Sequence, residues 1–332
     1  MKNSRARRGF TLLELLVAIS ITLALAGILL SVTTGTLNIW RRVQGNFSNS
    51  TQAKLALDYL ERDLHSALHR SDTTKWLAVE LTDTITPLTN HGWSAAPGGA
   101  GRVKPISALS YNQPLPGAAN VTVSLEGIAH AKFAIGGAWL RFITLNSANF
   151  PVAVSYQLVR RPFAGTAVTA AVPHYFLCRA EVAKDVTLTT GYDVTTPAYA
   201  SGTITPGVTG AATTLANPAL GDVLGDNVVD FGVWLYARTA TGTLQLIYPN
   251  LTKAPGARYL AVGNGTLAAG NVFPEVADVM VRILSDEGAV LLENMENGRG
   301  RSAAATDVEW WALVEQHSQV FVRRIELKGG AL

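Results

Sequence analysis

The sequence holds a single cysteine, Cys178, among 332 residues. One thiol can close no internal disulfide and supply no Cys-rich metal site, so a disulfide scaffold and a zinc-finger module are both excluded. Charge is scarce as well: Asp, Glu, Lys and Arg make up 15% of the chain, against about 25% in ordinary soluble domains. A chain this poor in charge has either a weakly charged surface or a segment that leaves water. The small positive balance is not spread over the body. Lys2, Arg5, Arg7 and Arg8 lie within nine residues that contain no acid, and the formal charge of +3 less these four leaves −1 for the rest. A nucleic-acid surface needs clustered Lys and Arg to displace counterions, so no nucleic-acid partner is expected. Also missing are a Gly-x-x-x-x-Gly-Lys phosphate loop, His-Glu-x-x-His and Gly-x-Ser-x-Gly. The glycines of 263–270 (GNGTLAAG) lack dinucleotide-binding spacing and read as a turn.

One long apolar run is present. Residues 10–32, FTLLELLVAISITLALAGILLSV, carry a single charge at Glu14. As a helix they extend about 35 Å, against a hydrocarbon thickness of about 30 Å. A secretory signal is shorter and ends in a small-residue cleavage site, whereas this run leads into Asn38, Trp40, Arg41 and Arg42. It reads as an anchor in the lipid bilayer. Four basic residues before the span and two shortly after it place the N-terminus in the cytoplasm and the body outside. Glu14 is out of place there. An acid in an apolar helix costs a few kcal/mol and needs a partner, yet Leu15–Trp40 contains no cation. The partner must come from elsewhere.

A basic leader ending in Gly9, followed by Phe10-Thr11-Leu12-Leu13-Glu14-Leu15-Leu16-Val17-Ala18-Ile19, resembles the type IV pilin and type II secretion pseudopilin family. The resemblance implies a prepilin peptidase that cuts between Gly9 and Phe10 and methylates the new amine of Phe10. It also implies that Glu14 meets that amine on an adjacent subunit during assembly. Parts of the body resemble the J-type minor pseudopilin, namely Tyr156-Gln157-Leu158 with Phe176-Leu177-Cys178-Arg179, and Phe273-Pro274-Glu275 running on to Val281. The tail from Trp310 and a Thr-rich stretch depart from that pattern.

These readings divide the chain into a leader (1–9), a transmembrane helix (10–32), a membrane-proximal amphipathic helix (33–70) and an extracytoplasmic head (71–332). Leu55, Leu57, Leu60, Leu64, Ala67 and Leu68 form the stripe of the second helix, and Thr33-Thr34-Gly35-Thr36 and Gly45 mark where the stalk would bend. Prolines and glycines make 82–120 loop. Strands are expected at 121–125, 138–145, 152–160, 174–182, 228–237, 243–248, 276–284 and 319–327, with a helix at 307–318. Residues 185–220, with ten Thr and two charges, read as a polar loop insertion in the head. The fold class is α+β: a long pilin-like transmembrane helix and a head rich in antiparallel sheet.

Chemistry in the head is thin. Asp222, Asp226 and Asp230, with Asn227, are weak calcium candidates, since calcium takes carboxylate and carbonyl oxygens on a loop. The plainer reading is a turn leading into the strand at Val228, and no cofactor is expected. His65 and His69 are four apart on a helix but lack a third ligand. Glu309, Glu315 and His317 beside Trp310 and Trp311 could form an acid/base pocket only by converging in space; tryptophans at this density pack a core or an interface, so no enzyme is expected. The expected function is a minor pseudopilin-like structural subunit of a type II secretion filament, at its tip or priming it. Its partners would be prepilin peptidase, other pilin or pseudopilin subunits and an inner-membrane assembly platform. The chain would be single-pass in the inner membrane with a periplasmic head, and part of a periplasmic filament after assembly. The alternatives are a minor pilin of a type IV pilus, in adhesion, motility or DNA uptake, and an exported enzyme or sugar-binding domain on a borrowed leader.

Overall fold

The computed structural model describes residues 12–81, 132–133, 136–162, 173–199, 215–216, 218–249, 258–297, 307–328 and 330–331. The chain divides into two units, 1–48 and 49–332. The expected loop at 82–120 and the expected strand at 121–125 lie outside the described residues.

Helix α1 (Leu12–His65) starts in the first unit. There its apolar side chains turn outward on every face, from Leu12 to Leu37, and none of the stretch Leu15–Thr34 is buried. The hydroxyls in this apolar surround are satisfied locally: Ser20, Thr22, Thr33, Thr34 and Thr36 each donate to the carbonyl four residues back, at 2.8–2.9 Å. A threonine bonded in this way presents its methyl group outward, which suits lipid and keeps the backbone helical. The expected weak points at Thr33–Thr36 and Gly45 are accordingly helical throughout.

The second unit takes over the end of α1. Ala53, Ala56, Leu57, Leu60 and Leu64 are buried at helical spacing and Leu55 points to solvent, so the stripe excludes it. The helix stops at His65 rather than at residue 70. Ala67 N bonds back only three residues, to Leu64 O, and from there the chain joins a sheet, with Leu145 N donating to Ser66 O.

Two antiparallel sheets form the rest. The first contains β2 (Lys75–Leu81), β3 (Ala138–Leu145), β4 (Pro151–Pro162), β5 (Pro173–Val182), β6 (Val223–Asp226) and β9 (Arg258–Val262), in the order β6-β5-β4-β3-β2-β9. The second contains β7 (Val228–Arg238), β8 (Leu244–Tyr248), β10 (Val276–Leu284) and β11 (Ser318–Glu326), in the order β11-β10-β7-β8. A two-residue parallel pair, β1 (Leu68–His69) with β12 (Gly330–Ala331), ties the end of the chain to the residues after α1. Three shorter α-helices, α2 (Lys184–Thr190), α3 (Asp286–Glu296) and α4 (Asp307–His317), and two turns of 3-10 helix, Pro197–Tyr199 and Leu220–Asp222, complete the described elements. The fold is α+β, a helix followed by an antiparallel-sheet head.

The six-stranded sheet is covered on both faces, which is why β3 is buried along nearly its whole length. Phe142 and Tyr156 face α1. On the opposite face lie Trp139, Arg141, Ser155 and Gln157, and the Thr-rich stretch packs over them. It buries Val194, Tyr199, Leu215 and Ala216, and the Leu215 carbonyl accepts from Trp139 Nε1 (3.2 Å), Ser155 Oγ (2.8 Å) and Gln157 Nε2 (3.0 Å). The described part of 185–220 is thus a cover for the sheet rather than a plain loop. Its polar composition suits a sheet face studded with donors, because the backbone supplies the acceptors. Beside it, Arg141 stacks 3.6 Å over the Trp139 ring and pairs with Glu80; burial pushes its pKa down to about 10 despite that partner.

In the four-stranded sheet β7 and β10 are core strands, and α3 and α4 lie between β10 and β11 in sequence. Ser285 caps α3, accepting from Gly288 N at 3.1 Å, with Asp286 and Glu287 in the positive first turn. Gly288 lies against the Cβ and carbonyl of His317 at the end of α4, where a side chain would collide.

Candidate functional site

The N-terminal motif is borne on α1. Gly9 and Phe10 lie outside the described residues, and Glu14 is in the first turn of the helix with its side chain outside the description. Beyond it, the twenty residues Leu15–Thr34 form a helix long and apolar enough to cross a membrane, with none of its surface buried by the rest of the chain. An apolar helix without a polar face must find lipid or other helices.

The weaker candidate residues of the head make local structural contacts. Asp222 Oδ2 accepts from Ala219 N at 2.5 Å within a turn of 3-10 helix, and Asp226 Oδ1 accepts from Asn227 N at 2.7 Å. Asp230 is wholly buried, its carboxylate accepting from Phe133 N at 3.1 Å. Among the described residues no three His, Cys, Asp or Glu side chains gather as a metal site. His65 and His69 do not share a helix face, because α1 ends at His65 and His69 belongs to β1, its ring stacked on Phe273 at 4.3 Å. Burial lowers the His69 pKa. Trp310 and Trp311 are buried edge-to-face, 4.9 Å apart, while Glu309 is exposed and Glu315 pairs with Lys132 at 2.8 Å.

Residues 4–30 match the family model described as the prokaryotic N-terminal methylation motif. The chain has the N-terminus of a type IV pilin-like protein. The motif implies processing by a prepilin peptidase and assembly with other pilin subunits, and together with the apolar helix it points to a membrane-anchored protein. No curated protein and no solved structure matches the chain.

Within the head, the structure assembles ionic clusters that spacing did not reveal. Glu296, near the C-terminal end of α3, accepts from Arg160 Nη2 (2.6 Å) and Nε (3.1 Å), Tyr175 OH (2.6 Å) and Trp310 Nε1 (3.1 Å). Both charges are buried. Burial opposes the Arg160 charge, but the Glu296 carboxylate outweighs it and the pKa is raised. The cluster joins β4, β5, α3 and α4, and its Tyr175 and Glu296 border a small cavity that His174, Asn227, Leu292 and Glu293 also line. A second cluster centres on Asp63 of α1, with Tyr156 and Arg179. Partners 93 and 116 residues apart leave no local pattern; the available signal was one acid, Asp63, close beside the apolar stripe of α1.

Proposed function

We propose that the chain is a minor pseudopilin-like structural subunit of a type II secretion filament, acting at the tip or in priming. The observation that carries the reading is the methylation motif at 4–30 leading into an apolar helix exposed on every face. Such a helix is stored in the bilayer as a single-pass inner-membrane anchor with the head on the periplasmic side, then exchanges lipid contacts for contacts with neighbouring helices. Cleavage between Gly9 and Phe10 creates a cation, the methylated amine of Phe10. A correctly staggered neighbour brings it to Glu14, which in lipid has no counter-charge, so the pairing rewards the right stagger over others. A head whose described residues alone form two antiparallel sheets and three short α-helices suits a scarce end subunit better than a repeating shaft. Prepilin peptidase, pilin or pseudopilin subunits and an inner-membrane platform are the partners of this reading.

Mass spectrometry of the mature N-terminus, with and without the prepilin peptidase, tests the assignment. The expected product begins with N-methylated Phe10, and the precursor accumulates when the peptidase is removed. An unprocessed chain in both strains, or cleavage near residue 30, refutes it. Shaft-like abundance in purified filaments refutes the end position.

A further inference from the structure

Side chains from both sheets take hold of one short stretch of α1. From the six-stranded sheet, Tyr156 OH and Arg179 Nε donate to Asp63 Oδ2 at 2.7 and 2.6 Å, and Thr144 Oγ1 donates to the Asp63 carbonyl at 2.7 Å. The Asp63 side chain is 2% exposed, and Arg179 is braced from its own strand by Glu181 at 2.8 Å. Burial first, and the Asp63 charge second, push the Tyr156 pKa well above its ordinary value, so the phenol stays a donor. From the four-stranded sheet, Arg323 Nη1 donates to Asp58 (2.6 Å) and Glu61 (2.7 Å). All three acids fall within six residues, beside Leu57, Leu60 and Leu64 of the core stripe.

An apolar stripe alone fixes a helix loosely along its axis, because a shift of one turn, about 5.4 Å, replaces one aliphatic contact with another. A buried carboxylate allows no such shift. It is tolerable only where its donors are, and leaving them strands an unpaired charge in the core.

We propose that Asp63, with Thr144, Tyr156 and Arg179, is a register lock that fixes the head-side end of α1 at one axial setting, so that any displacement of the helix carries the head with it. The functional half rests on the reading above, in which the helix is drawn into a filament. The lock is the device by which that pull reaches the sheets without sliding the helix through them.

Hydrogen exchange on the full-length chain in detergent reads the lock directly. Arg179→Gln is expected to speed exchange of the amides of 53–64 by about 100-fold while β3 and β4 keep native protection, and Tyr156→Phe to do the same to a smaller degree. Arg324→Gln, which breaks the bidentate pair with Asp278 in the four-stranded sheet (2.7 and 2.6 Å), is expected to leave those helix amides unchanged. An unchanged helix in both lock variants, or equal acceleration of helix and strands, overturns the proposal. Should Arg179→Gln fail to fold, Tyr156→Phe, which removes one hydroxyl, decides it. In cells, the Arg179→Gln chain is expected to be processed at its N-terminus like the native one, yet to enter filaments at least about tenfold less. Native-level incorporation with an unlocked helix overturns the coupling of pull to head. If native and variant chains are equally absent from filaments, the assembly reading fails instead, and exchange still judges the lock.

Discussion

Glu296 is buried among Arg160, Tyr175 and Trp310, so its stability contribution depends on keeping all of them. Glu296→Gln is expected to destabilise the head by about 3–5 kcal/mol, because it leaves the Arg160 guanidinium buried and uncompensated. Denaturant unfolding would show this as a lower midpoint at unchanged slope. The double variant Glu296→Leu, Arg160→Met is expected to lose less than the single one, since removing both charges removes the desolvation penalty too. His69 works in the opposite electrostatic sense. Its folded pKa is lowered by burial, so the folded state prefers the neutral ring stacked on Phe273. Its contribution is therefore complete above the ordinary value of about 6.5 and is lost as pH falls from there through the folded value. Thermal melts across that window should lose stability on acidification, and His69→Phe, which keeps the stack and removes the titration, should flatten that part of the profile.

Single elements differ in how openly the sequence declares them. β3 and β10 coincide with the expected runs 138–145 and 276–284, and β4, β5, β7, β8, α4 and β11 lie within two residues of theirs, because apolar runs bounded by turn residues mark buried strands and helices well. β2 and β9 were not legible. β9 is five residues long beside a glycine-rich turn, and Lys75–Leu81 becomes a strand through pairing on both sides with partners far along the chain. α3 was hidden by Gly288 in its first turn, a poor helix former retained where His317 leaves no room, although Ser285 and the two acids after it were a fair start signal. Ser285→Ala should cost about 1 kcal/mol in unfolding measurements, the value of a cap. Leu57, Leu60 and Leu64 of the helical stripe were legible, whereas Leu55 points outward and Asp63 beside them was not legible, since a buried acid betrays itself only through remote donors. Leu57→Ala at the centre of that stripe should cost about 2–5 kcal/mol in the same assay.

At the scale of the molecule, the N-terminal site was the most legible part, because a membrane span and its motif are contiguous, whereas the head's clusters are assembled from distant strands. The two units should separate by solvent: chain 49–332 is expected to remain in solution without detergent, while the full chain sediments with membranes until detergent is added, as fractionation would show. The head's second sheet face has its own logic. Three side chains converge on the peptide oxygen of Leu215 rather than on anything specific to leucine. These three bonds therefore survive an exchange of the letter at that position, provided the newcomer fills the same buried apolar space and the number of letters on either side lets the same oxygen arrive. Over generations, such a cover is expected to hold its spacing and its few buried letters while the spelling of the exposed ones drifts.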